Sequence, residues 1–123
     1  MIERPHKKLI VWQNAIEFVK RIYVLTNKFP EGGKFGLISQ LRRTAVSVPT
    51  NISEDAARNT KKEFIQFLYI ASGSLSEVDT LLTISNEINY INLTEYNSVN
   101  EMMGKISALL NRLIKKLKED LKT

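Results

Sequence analysis

Six polar side chains between residues 40 and 58 have the types and spacing for specific hydrogen bonding. Gln40, Arg43, Ser47, Asn51, Glu54 and Arg58 step by three and four, so at about 100° per residue they fall within an arc of about 80° on one helix face. A solvated helix face is usually rich in Lys and Glu. This row instead supplies two amides, a hydroxyl and an opposite-charge set, which suit a defined partner. Gln40, Arg43, Ser47, Asn51 and Glu54 are therefore the candidates for a subunit interface in a homo-oligomer, with Arg43 of one copy meeting Glu54 of the next. An exposed polar face holding one Glu54–Arg58 pair fits the same spacing.

Catalytic sets are missing from the sequence. The one histidine, His6, lies in a polar segment ahead of the first apolar row. No Glu-x-x-His pair offers a di-metal centre to a helical bundle. Gly32, Gly33 and Gly36 lack the Lys-Ser/Thr pair of a phosphate-cradling loop. There is no cysteine, which excludes thiolate chemistry, disulfides and cysteine-bound metals and fits a reducing compartment. The expectation is a protein that is not an enzyme, with no cofactor and no metal.

The basic residues are the second candidate set. Lys7, Lys8, Lys20, Arg21, Lys61 and Lys62 form pairs in the first half of the chain, and Arg112, Lys115 and Lys116 lie near its end. They could be solvated faces, or they could meet the phosphates of RNA or DNA with an affinity that falls steeply with salt. Neither a helix-turn-helix nor an aromatic stacking platform is evident around them, so any such binding is expected to be weakly sequence-dependent. The net charge of +5 is unevenly spread: residues 1–62 hold 12 basic and 5 acidic side chains, residues 63–104 hold 6 acidic and no Lys or Arg, and residues 105–123 hold 6 basic and 2 acidic. Such blocks suit either association between copies or a basic face for nucleic acid.

Four helices must position these groups. Ile38, Leu41, Ala45, Val48, Ile52 and Ala56 form an apolar stripe that keeps its phase through Pro49, so one kinked helix is expected over about 36–58. A first helix over about 9–29 presents Leu9, Trp12, Ile16, Val19 and Tyr23, and Pro30 and Gly32-Gly33 stop it. Thr60 and Glu63 match a capping box that starts a third helix over about 61–89, with the stripe Phe64, Phe67, Leu68, Ala71, Leu75, Val78, Leu82 and Ser85. Gly73 inside it marks either a close helix approach or a tolerated exposed glycine. Asn89 suits a left-handed cap, and Asn92 with Glu95 opens a fourth helix over about 93–121. Its seam reads Tyr96, Val99, Met103, Ile106, Leu110, Leu113, Leu117 and Leu121. The fold class is all-α: one domain over residues 1–123, an antiparallel up-down-up-down four-helix bundle. No apolar run reaches the roughly 18 residues of a membrane span; no signal peptide is evident and no membrane partner is expected, which makes the location cytoplasmic.

Several short motifs also match a family. Val11-Trp12-Gln13, Phe29-Pro30, Phe35-Gly36-Leu37, Gln40-Leu41-Arg42-Arg43 and Ser47-Val48-Pro49-Thr50-Asn51-Ile52-Ser53-Glu54, followed by Phe64-Ile65-Gln66-Phe67-Leu68 and Gly73-Ser74-Leu75-Ser76-Glu77, resemble the four-helix-bundle proteins of the 23S rRNA intervening-sequence family. The resemblance runs from Leu9 to about Leu117. Asp55 departs from it, since the family usually has glycine after that glutamate. The resemblance implies a small bacterial protein, a homopentameric ring of bundles and no established catalysis. Relatives of the family include accessory proteins of diversity-generating retroelements, which bind nucleic acid and a reverse transcriptase. The expectation is thus an oligomer that binds RNA or DNA, and the alternative is an adaptor for an unknown protein partner.

Overall fold

The structure, a computed structural model, describes residues 9–30, 36–54 and 60–122. Among the described residues all regular structure is helical: α1 (Ile10–Thr26), α2 (Leu37–Ser53), α3 (Lys61–Glu87) and α4 (Leu93–Leu121). Each helix packs on two neighbours, in the cyclic order α1, α2, α3, α4. Cross-helix contacts fix the directions. Thr26 meets Arg42, Ser47 meets Ser74, and Asp79 meets Tyr96. Lys28 near the end of α1 bonds Glu95 at the start of α4. Every neighbouring pair is therefore antiparallel, and one core of buried aliphatic and aromatic side chains fills the space between all four.

Helix starts and stops follow local chemistry. Thr60 Oγ1 accepts the Glu63 N–H at 3.1 Å. Asn92 and Glu95 form a complete capping box at the start of α4. Asn89 adopts the left-handed conformation (φ 64°), and Tyr90 N–H reaches back to the Ser85 carbonyl at 2.8 Å, closing α3 as an asparagine cap should. The Tyr90 ring then meets Phe29 edge-on, with centroids 5.3 Å apart, which ties the α3–α4 turn to the end of α1. Helix α2 runs through Pro49, which is itself buried. Its start is the positive-φ Gly36 (φ 86°), a backbone that glycine adopts without a steric penalty. Ala56 and Arg58, where the stripe and the polar row were expected to end, lie outside the described residues.

Two apolar rows differ from expectation. In α1 the buried row is Val11, Ala15, Phe18, Ile22 and Leu25, rotated from the expected Trp12, Ile16, Val19 and Tyr23. Those residues are only partly buried, and Tyr23 is 41% exposed. Apolar residues cover more than half of this helix, so their period is clear and their phase is not. The polar residues Gln13, Glu17, Lys20 and Arg21 mark the outer face, and the side opposite them holds Ala15 and Ile22. In α4 the core row is Val99, Met103, Ile106, Leu110 and Ile114. Leu113 and Leu117 are partly buried and Leu121 is 50% exposed. A strict seven-residue seam drifts by about 20° per heptad on a straight helix, so the core passes from Leu113 to Ile114.

Gly73 is exposed, and a Cβ built on it would meet nothing within 4 Å. It is the tolerated glycine of the two readings.

Candidate nucleic-acid interface

The polar row of α2 divides between two places. Gln40 and Ser47 reach across the seam to α3, and Asn51 bonds within α2. Gln40 Nε2 donates to Glu77 Oε2 at 3.5 Å, Ser47 Oγ to Ser74 Oγ at 2.6 Å, and Asn51 Nδ2 to its own helix at the Ser47 carbonyl. The buried Thr44 adds a 2.9 Å hydrogen bond to the same Glu77 oxygen. Glu54, at the end of the helix, is partly buried. Arg43 is exposed, as Gln40 is, and borders the α1 side. Two of the five, Gln40 and Ser47, thus bond α3 within the subunit.

Arg42, beside it, is a clamp that spacing did not reveal. Its Nε donates to Thr26 Oγ1 and its Nη2 to Asn27 Oδ1, both at 2.9 Å. Its guanidinium carbon stands 4.6 Å from the centroid of the Tyr23 ring. The Thr26 hydroxyl is buried and donates in turn to the Ile22 carbonyl at 2.8 Å. One side chain therefore closes α1 on α2. Arg43 and the exposed Val46 and Tyr23 border an open cleft of about 640 Å³ along this pair of helices.

The acidic segment is largely spent inside the subunit. The Glu63 carboxylate accepts from the Thr60 hydroxyl and that of Glu95 from the Asn92 N–H, Glu77 bridges α2 and α3, and Asp79 accepts from the Tyr96 hydroxyl at 2.7 Å. That bond favours the neutral phenol and holds the Tyr96 hydroxyl above its ordinary pKa, with burial adding to it while Thr83 opposes it. The Lys28 hydrogen bond, aided by the Asn92 N–H, holds the Glu95 carboxyl below the usual carboxylate range.

The basic candidates do not form one patch. Lys7 and Lys8 lie outside the described residues. Lys20 pairs with Glu17 at 3.3 Å, and Arg21 donates to Ser98 Oγ at 3.1 Å, beside the first half of α4. Arg112, Lys115 and Lys116 lie 14 or more positions further along α4, roughly 21 Å away by helical rise. There they join Lys118 and Lys122, all exposed, in an outward arc that includes one acid, Glu119. The antiparallel packing brings Lys61 and Lys62 alongside, and Lys61 meets Asp120 at 3.5 Å. A cleft of about 390 Å³ opens here between α3 and α4, bordered by Asn111, Lys115, Lys118, Lys122 and Tyr69. Tyr69 is 48% exposed, with Lys118 Nζ 5.0 Å from its ring centroid. An aromatic ring therefore stands among the lysines, where the sequence pointed to none. Its partner Lys118 is 49 positions away, so only the fold joins them.

Among the described residues no helix is long and apolar enough to cross a membrane. A model of the 23S rRNA-intervening sequence protein family matches residues 7–112. A crystal structure of a protein of unknown function from the S23 ribosomal protein family of Bacteroides thetaiotaomicron superposes with a TM-score of 0.79 at 28% identity, covering 86% of this chain and 96% of that one. No curated protein matches the chain significantly.

Proposed function

The chain belongs to the 23S rRNA-intervening sequence protein family, and on that premise we propose that it is a non-enzymatic, self-assembling helical protein that binds RNA or DNA through the C-terminal half of α4. The observation that supports this reading is the set of exposed cations around the end of α4, with Lys115, Lys118 and Lys122 at the cleft toward α3, where Lys61 and Lys62 lie, and Arg112 and Lys116 at the side toward α1. A helix C-terminus favours cations through its dipole, but that effect fades within the last turn. It explains Lys118 and Lys122, and leaves Arg112, Lys115 and Lys116 without a structural task. A phosphate backbone supplies one.

Assembly is the second part of the proposal, a homo-oligomer in the pentameric form that the family resemblance implies. Its contact surface is the open α1–α2 cleft, where Arg43 borders the exposed apolar atoms of Tyr23 and Val46. Arg43→Glu should lower the absolute mass in solution without loss of helix. A wild-type monomer at tens-of-micromolar protein rejects assembly altogether.

Fluorescence anisotropy with a structured RNA and with duplex DNA tests the nucleic-acid reading between about 50 and 200 mM salt. Binding that weakens steeply with salt supports it. No binding at the lowest salt removes it and leaves an adaptor for a protein partner as the better reading.

A further inference from the structure

We propose that Tyr69 is a base-stacking platform, so that the α3–α4 cleft takes one unpaired nucleotide of a single strand while the lysines around it hold the backbone. This rests on the nucleic-acid reading above and adds to it a contact point and a preference for unpaired strands. The ring is 48% exposed on the outer surface of α3, although a surface position on a helix that already buries Phe64, Leu68, Ala71 and Leu75 has no packing need for an aromatic residue. Its hydroxyl is not required to satisfy a buried group. Lys118 Nζ stands 5.0 Å from the centroid, and Lys115 and Lys122 border the same cleft of about 390 Å³, a volume in the range that holds one small ligand. Three lysines and one carboxylate, Glu119, border the cleft on the α4 side, and Lys62 lies two turns away on the same exposed row of α3.

These parts match the two chemistries of a nucleotide. A base offers a flat π-face that stacks on a phenol ring whatever its sequence, and the phosphates on either side of it need cations a few ångströms away. A duplex keeps its bases stacked on one another, so it reaches the lysines and leaves the ring unused. Single strands of RNA or DNA share the chemistry the cleft reads. The arrangement gives the chain a means to tell open strands from paired ones without reading their sequence.

The test compares a fluorescent oligouridylate, an oligothymidylate and a duplex DNA of equal length by anisotropy at about 50 mM salt. Tyr69→Ala should weaken binding of both single strands by roughly 5- to 100-fold, the range for loss of one stacked base, and leave the duplex within about twofold. Tyr69→Phe should retain single-strand affinity within about threefold, since the ring is what acts. An effect on oligouridylate alone would indicate a 2′-hydroxyl contact and contradict the shared-chemistry claim. In the wild type, photocrosslinking of an iodouridine-substituted strand should label the peptide containing Tyr69. If single strands bind but Tyr69→Ala changes nothing and the crosslink maps to other aromatic residues, the platform is wrong while nucleic-acid binding stands. If neither strand nor duplex binds the wild type, both proposals fall together.

Discussion

Replacing Arg42 by methionine should destabilise the subunit as a core substitution does, while replacing Arg43 should leave the fold of the single subunit almost unchanged. The adjacent arginines have opposite surroundings. Arg42 makes two 2.9 Å hydrogen bonds to Thr26 and Asn27, and its guanidinium lies 4.6 Å from the Tyr23 centroid. A hydrogen bond to a charged group contributes about 1.5–3 kcal/mol. The bond to buried Thr26 deserves the lower end, because its hydroxyl still donates to Ile22 after the change. Exposed Asn27 regains water, so its bond contributes about 0.5 kcal/mol. The contact with half-exposed Tyr23 adds about 0.5–1 kcal/mol. Methionine keeps the apolar stem, leaving a loss of about 2–3 kcal/mol, or a fall in Tm of roughly 10 °C for a chain of this size. Urea unfolding followed by circular dichroism at fixed protein concentration measures it, since self-association would shift the midpoint. Arg43→Met, at an exposed position of the single subunit, should cost less than about 0.5 kcal/mol when both proteins are diluted until they are monomeric. Equal effects of the two substitutions, or a loss below ~1 kcal/mol for Arg42, would show that the clamp contributes little to joining α1 and α2.

Leu110 has no exposed surface, so Leu110→Ala should cost about 2–5 kcal/mol in the same assay; a change under ~0.5 kcal/mol would put it outside the core. Gly73→Ala should raise stability by about 0.5–1 kcal/mol, because the added methyl meets nothing within 4 Å and the helix loses a poor former. A fall instead would place a second copy against that face. Glu95 has its carboxyl pKa lowered in the fold, first by Lys28. Its stabilising effect is therefore complete above the unfolded value and lost as pH falls through the folded one. Lys28→Met should flatten the decline in stability on the acid side; an unchanged acid limb would mean that the pair does not form in solution.

Much of this fold was legible in the sequence because the signals were local. The Thr60–Glu63 and Asn92–Glu95 caps, the left-handed Asn89 and the passage of α2 through Pro49 each depend on residues within four positions of one another. Phase was harder than period. In α1 both Trp12-Ile16-Val19 and Val11-Ala15-Phe18 have helical spacing, and small Ala15 hides the fact that its row is the buried one. The candidate surfaces were least legible, since the residues that form them lie far apart in the chain. Glu77 accepts from Gln40 and Thr44 across the α2–α3 seam, 33 or more positions away in the chain. Tyr69 meets Lys118 only because α3 and α4 run antiparallel. The polarity of a row shows that it bonds something; which helix it bonds is a property of the packing.

The most direct test of nucleic-acid binding by the end of α4 is the slope of log affinity against log salt for a single-stranded RNA, compared between the wild type and the Lys115→Glu, Lys116→Glu double variant. Each phosphate contact on a single strand contributes about 0.7 to the slope, so losing two should flatten it by roughly 1.4. Helix content and absolute mass should stay unchanged, because both side chains are exposed. A flatter slope with weaker binding is the expected result. A wild-type slope near zero, or a double variant whose slope and affinity match the wild type, would contradict it.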